Sequence, residues 1–239
     1  MFRNWIRHGL ILVSIAFFAV GCAAVTTAPS PTAVPSAPTS APLAPAPTAA
    51  ATNAPAVSTN VIRLEIVPDK SEARYRVREQ LANVSLPSDA VGRTNAITGT
   101  IVGKSDGTIV SSDSKFVVDL RTLRSDRDQR DNFLRRDVLQ SNQYPNAVFV
   151  PTQAPGLDLT MPPSKPVTFK LTGDLTVRNV TKPVTWEVTC QPQGNEGSCH
   201  ATTNFNFAYF NLTQPRVPVV LSVVDNIVLE LDLVLRSAS

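Results

Sequence analysis

The feature that most constrains this chain is a strict alternation of residue types near its C-terminus. Ile227, Leu229, Leu231, Leu233 and Leu235 interleave with Val228, Glu230, Asp232, Val234 and Arg236. Successive side chains of a strand point to opposite faces, so an extended strand puts all five odd-numbered residues on one side. A helix would scatter them around its circumference and draw Glu230 and Asp232 in with them. The odd positions are therefore expected to face inward.

The same period of two recurs along the chain. Ile62, Leu64 and Ile66 oppose Arg63 and Glu65, and Tyr75 and Val77 oppose Arg74, Arg76 and Arg78. Phe169, Leu171, Gly173, Leu175 and Val177 alternate with polar residues, as do Val184, Trp186 and Val188. Residues 179–183 would join these last two strands into a hairpin, with Asn179 taking a left-handed turn conformation. Further strands are expected at 97–103, 109–120, 146–152, 201–210 and 217–223, with a tight turn through Ser105, Asp106 and Gly107. One stretch reads as helix: Ser125 as N-cap with Asp128 three residues on, then Phe133, Leu134, Val138 and Leu139, until Tyr144 and Pro145 stop it. Many one-sided strands and a single helix predict an all-β domain over residues 61–239, either a closed barrel or a sandwich.

The N-terminus is of a different kind. Arg3 and Arg7 precede an uncharged apolar run over 9–20, which ends in Ala19, Val20, Gly21 and Cys22. Such a run covers about 18 Å as a helix, against roughly 30 Å for a bilayer core. It is read as a signal peptide, residues 1–21. Small residues before a cysteine resemble the lipobox of bacterial lipoproteins, in which the cysteine is lipidated; here that residue is Cys22. The alternative is ordinary secretory cleavage nearby, with Cys22 a free thiol. Residues 23–60 carry eight prolines among Ala, Thr and Ser and no charge. With Cys22 they form a disordered tether with a reach on the order of 100 Å. The expectation is an exported, lipid-anchored protein of the cell envelope with its folded domain outside the cytoplasm. In that oxidising setting Cys190 and Cys199 are expected to form a disulfide; a zinc site would need more ligands than the sequence offers.

Charge and chemistry narrow the function. Without Arg3 and Arg7, 20 of the 22 basic residues remain against 19 acidic ones, so nucleic acid is not the expected partner. The mature chain keeps one histidine, His200, beside Cys199, and is read as structural or exposed rather than catalytic. The charged run Asp126, Arg127, Asp128, Arg130, Asp131, Arg135, Arg136 and Asp137 lacks the glycine and terminal glutamate of an EF-hand. It is read mainly as a solvated helix face with i,i+4 pairs. No enzyme, metal or cofactor is expected; the catalytic alternative is a pair of carboxylates facing each other across a cleft, which nothing in the sequence positively suggests.

Three stretches carry a family resemblance. Residues 126–149 combine an Arg-Asp-x-x-Leu type helix with Tyr144, Pro145 and Phe149; residues 173–184 read Gly-Asp-Leu-Thr-Val-Arg-Asn-Val-Thr-Lys-Pro-Val; residues 207–233 are weaker. Together they resemble the YceI-like family of polyisoprenoid-binding proteins. Departures are Asn179 in place of glycine, Phe207-Ala208 in place of Phe-Gly, and a long polar stretch over 81–95. The resemblance implies a lipocalin-like antiparallel barrel of about eight strands with one short helix, and a long isoprenoid, quinone or other amphipathic lipid in its lumen. The lumen would be lined by Tyr75, Phe116, Val118, Phe149, Phe169, Leu171, Leu175, Val177, Trp186, Val188, Phe205 and Phe207, with Arg130 as first choice for an anionic head group. The implied function is non-catalytic binding, storage or transport of that lipid beside the membrane. The rival reading has the same side chains filling a solid core, in a cell-surface interaction module with no small ligand. A homodimer stays open under either reading.

Overall fold

The computed structural model describes residues 61–104, 106–157 and 165–238. The expectations for the signal peptide, Cys22 and the tether lie outside these residues. Ten strands follow in chain order: β1 (Val61–Ile66), β2 (Glu72–Leu81), β3 (Ser88–Thr94), β4 (Ile97–Lys104), β5 (Lys115–Asp119), β6 (Asn146–Gln153), β7 (Val167–Val177), β8 (Val180–Gln193), β9 (Glu196–Phe205) and β10 (Val220–Ser237). The helix α1 (Asp128–Phe133) lies between β5 and β6 and runs on into a π-helical turn, Leu134–Val138.

All pairings are antiparallel. The order β1-β4-β5-β6-β7-β8-β9-β10 closes through a β1–β10 pairing, giving a ring of eight strands. Closure is possible because β10, 18 residues long, carries β9 along one edge and two strands in succession along the other. Ile227 to Asp232 pair with β2, and Leu235 to Ser237 pair with β1. Thus β1 and β2 act as one strand bent at the Pro68–Lys70 turn, and β3 and β4 do the same on its far side. The inward positions of β10 behave as alternation requires: Ile227 and Leu233 are buried, and Leu229, Leu231 and Leu235 pack against the core. On the outer face Arg74 meets Glu230 at 3.1 Å and Glu72 at 2.9 Å, while Arg76 and Arg78 share Asp89.

Several boundaries differ from the sequence reading, each for a local reason. Residues 109–120 are not one strand. Ile109 forms a single bridge to Gly103, a 3-10 turn follows at Ser111–Asp113, and β5 starts only at Lys115. Buried Ser114 holds this break, its Oγ donating to the Val110 carbonyl at 2.8 Å and accepting from the Val102 N–H at 2.9 Å. Residues 201–210 divide likewise: β9 ends at Phe205, and Phe207–Phe210 form a 3-10 turn capped by Asn206, whose side chain accepts from the Tyr209 N–H at 2.9 Å. The strand expected over 217–223 begins only at Val220 and is the start of β10, which bulges between Val220 and Ser222 and again between Val223 and Ile227.

The β7–β8 hairpin is tighter than expected. Val177 pairs with Val180, leaving a two-residue turn in which Arg178, not Asn179, takes the left-handed conformation at φ 57°. The helix starts at Asp128 rather than after Ser125. Asp131 reaches back six residues to accept from the Ser125 N–H at 2.9 Å and its Oγ at 2.6 Å, which ties the chain before the helix to its first turn. It ends before Tyr144, at Gln140, whose φ of 51° breaks the helical path. The expected disulfide is present, joining the directly paired residues Cys190 and Cys199 across β8 and β9.

Strand β3 went unread because its inward residues are Ala90, Gly92 and Thr94, too small to show as alternation. The structure supplies the reason. Gly92 pairs with Tyr75, and a Cβ placed on it would lie 2.1 Å from Tyr75 Cε1. The tyrosine ring therefore covers the glycine, as strand glycines permit where another group approaches closely.

Candidate ligand-binding cavity

The two ends of the barrel are built differently. One end holds the β8–β9 turn, the disulfide and Val61; the other holds the β7–β8 turn, the β2–β3 loop and α1. At the first end inward residues meet in the middle. Phe149 lies 6.2 Å from Phe116 and 6.0 Å from Trp186 between ring centroids, and only about 50 Å³ of space remains among them. Gly173 makes room for this packing: a Cβ there would lie 2.7 Å from the Phe149 ring.

The other end is hollow. A cavity of about 510 Å³ falls within the range of small-molecule sites, roughly 300–1,000 Å³. Its walls are almost wholly apolar: Tyr75, Val77 and Leu81 from β2, Leu175 and Val177 from β7, Phe205 from β9, and Ile227 and Leu229 from β10. The helix segment roofs it with Phe133, Leu134, Val138 and Leu139. Three ties hold this roof. Arg93 and Arg124 exchange backbone hydrogen bonds of 2.8 and 3.0 Å, Arg130 pairs with Glu79 of β2, and Arg178 Nη2 donates to Gln140 Oε1 at 3.0 Å.

The residues proposed as lumen-lining thus separate into two groups. Tyr75, Leu175, Val177, Phe205 and Phe207 line the cavity. Phe116, Phe149, Phe169, Leu171, Trp186 and Val188 surround the small space at the filled end. Val118 borders neither; it packs against the core between Ile97 and Ala147. Sequence reasoning passed over the roof residues, since a helix was not counted as barrel wall. It also passed over Glu79 and Leu81, which follow from carrying the Tyr75–Val77 alternation two steps further.

Glu79, Arg130, Asp126 and Asp131 form a charged cluster beside the cavity. Glu79 is buried at 7 % exposure and is paired to Arg130, which also meets Asp126. Burial works against the Arg130 charge, but the Glu79 and Asp126 carboxylates outweigh it and raise its pKa. Asp131, at 2 % exposure, is buried rather than part of a solvated face, a correction to the reading of the helix charges. Its two Ser125 hydrogen bonds offset the desolvation of a buried carboxylate. Beside this cluster the Tyr75 hydroxyl is shut from solvent and makes no hydrogen bond of normal geometry. Burial, ahead of the Arg130 charge that opposes it, pushes its pKa up to about 12.

His200 sits away from the cavity, on the outer face of β9, with Nδ1 2.7 Å from Asp232 Oδ1. Among the described residues no group of three or more His, Cys, Asp or Glu is arranged to hold a metal, and no helix is long and apolar enough to cross a membrane.

Comparison with known proteins agrees with this architecture. Among solved structures, BcnA of Burkholderia cenocepacia superposes with a TM-score of 0.53 at 16 % identity, over 71 % of this chain and 98 % of that one. A polyisoprenoid binding domain from Saccharophagus degradans, implicated in plant cell wall breakdown, gives 0.55 at 11 % identity, over 73 % and 98 %. The Campylobacter jejuni YCEI protein gives 0.50 at 16 %, over 67 % and 88 %. At these identities the likeness concerns the fold. Curated Pseudomonas putida proteins named UPF0312 protein are 34 % identical over 111 residues, 43 % of this chain and 54 % of theirs, so the chain spans about half the length of these relatives. Residues 64–235 match the family described as YceI-like domain. With the greater part of its length matched and the barrel in place, the chain belongs to the YceI-like family.

Proposed function

We propose that this protein binds a polyisoprenoid or similar amphipathic lipid in the open-end cavity, stores or carries it, and does no chemistry on it. The observation that carries the reading is the asymmetry of the barrel: one end packed solid, the other enclosing about 510 Å³ of apolar space. An empty volume of this size forgoes the dispersion contacts that a packed core makes, and an apolar chain restores them. Each buried CH₂ contributes roughly 0.8 kcal/mol, so about ten suffice for micromolar affinity before ordering costs. A solid-core interaction module accounts for the closed end and leaves the hollow end without a purpose.

The head group would lie at the Tyr75, Glu79, Arg130 cluster, where a neutral or anionic oxygen could meet the phenol or the guanidinium. The placement of His200 on the outer wall supports binding and release as the whole activity. Lipidation of Cys22, with residues 23–60 as a tether, would hold the domain at the cell envelope. Native mass spectrometry of the full chain, purified in mild detergent and followed by lipid extraction, tests the reading. One lipid per barrel, displaced by added isoprenoid, is expected; a chain that takes up isoprenoids of no length overturns it.

A further inference from the structure

Six large hydrophobic residues are exposed among the described residues, and five of them lie in two segments at the hollow end. Val84 and Leu86 belong to the β2–β3 loop; Val219, Leu221 and Val224 belong to the start of β10 and the residue before it. The segments are joined, since Leu81 pairs with Val220 and the Ala82 N–H donates to the Val219 carbonyl at 3.0 Å. Leu86 and Leu221 are 74 % and 67 % exposed, values far from those of a packed surface. Val84 and Val219 are at once exposed and part of the cavity wall, so the outer apolar rim and the inner apolar wall form one continuous surface.

We infer that this rim is a membrane-docking surface that seats the cavity mouth on a lipid bilayer. The inference rests on the lipid-binding reading above and adds where the ligand crosses between protein and membrane. Two observations favour a bilayer over a protein partner. The rim side chains are Val and Leu throughout, and neither segment contains an aromatic residue or methionine. Protein interfaces concentrate binding energy in Trp, Tyr and Arg, whereas Leu and Val are under-represented there. Lipid asks only for apolar area. The charge is compatible: residues 82–88 carry none and residues 211–224 carry Arg216 alone, while the flanking Asp89 is paired to Arg76 and Arg78 and the flanking Asp225 accepts from the Phe207 N–H.

A chain leaving the bilayer would pass from acyl tails to Val84 and Val219 and on to the Val77 and Leu229 walls without meeting water. Val61, where the described domain begins, lies at the opposite, filled end.

The test is depth-dependent quenching. In the full chain carrying Cys22→Ser, an environment-sensitive dye is attached at Ser85→Cys on the rim or at Asp106→Cys on the filled end. The protein is then mixed with phosphatidylcholine vesicles bearing brominated acyl chains, with and without phosphatidylglycerol. Quenching at position 85 and not at 106, stronger with phosphatidylglycerol and reduced at least fivefold by Leu86→Asp with Leu221→Asp, supports docking. The replaced side chains are solvent-exposed, so an unchanged urea midpoint certifies the fold of the variant. Equal quenching at both positions, none at 85, or none lost in the double variant overturns the inference. So does shielding of the position-85 dye that rises with protein concentration without vesicles, which assigns the rim to a second copy. Uptake of cis-parinaric acid from solution separates the two readings: uptake without quenching at 85 removes docking alone, and quenching without uptake supports docking and removes the cavity reading.

Discussion

Replacing Phe149 with alanine and Val77 with phenylalanine should have opposite consequences, because one residue stands in the solid end of the barrel and the other beside the void. Phe149 is 4 % exposed, rests on Gly173 and packs between Phe116 and Trp186. Removing its ring leaves ~100 Å³ that these stiff neighbours cannot fill; at ~24 cal/mol per Å³ this contributes about 2 kcal/mol beyond the lost transfer energy, within the usual 3–5 kcal/mol for a buried Phe→Ala change. A domain holds only about 5–15 kcal/mol in all. With a urea m-value of about 2 kcal/mol/M, the midpoint should fall by ~2 M. Val77→Phe enlarges a side chain that borders about 510 Å³ of empty space. It should change stability by less than ~1 kcal/mol while abolishing uptake of a polyene lipid. Ala201→Phe serves as the matched control: at 4 % exposure beside only about 50 Å³ of space, it should incur the ~1–3 kcal/mol of overpacking. Urea titration of the three variants with parinaric acid fluorescence makes the comparison. The reasoning fails if Val77→Phe destabilises as much as Ala201→Phe, or if Phe149→Ala costs under ~1 kcal/mol.

Two further outcomes follow from single features. The Tyr75 phenol, raised to about 12, keeps its proton in the folded state after an unfolded tyrosine has lost it near 10. Stability from this group is complete below pH ~10 and is lost as pH rises through 12; absorbance at alkaline pH should show one late tyrosine, missing in Tyr75→Phe. That variant should be neutral or stabilising in urea at pH 7, because it deletes a buried hydroxyl that makes no hydrogen bond of normal geometry. Opening the short loop closed by Cys190 and Cys199, through Cys190→Ser with Cys199→Ser, should lower stability by roughly 2–3 kcal/mol. A loss well under 1 kcal/mol would mean that the turn between β8 and β9 stays closed in the unfolded chain without the bridge.

Period two is a local property, and it fixes which face of a strand is apolar before any partner is known. Hence the strand around Ile227 to Leu235, the β7–β8 pair and the all-β class were legible from residue order, while the disulfide followed from the expected oxidising compartment. Small residues hid β3, where Ala90, Gly92 and Thr94 give no contrast, and polar breaks at Ser114 and Asn206 cut two expected strands short. Alternation says only inward or outward. It does not say how far the opposite wall stands, so Trp186 and Val177 read alike although one lies in packed aromatics and the other lines a void. That distance depends on the register closing β10 onto both β1 and β2, and on α1 standing as a roof over the end where the bent strands part. The pairing of Glu79 with Arg130, 51 residues apart, exists only once those elements meet. Sequence therefore set the faces, and tertiary closure decided which of them enclose space.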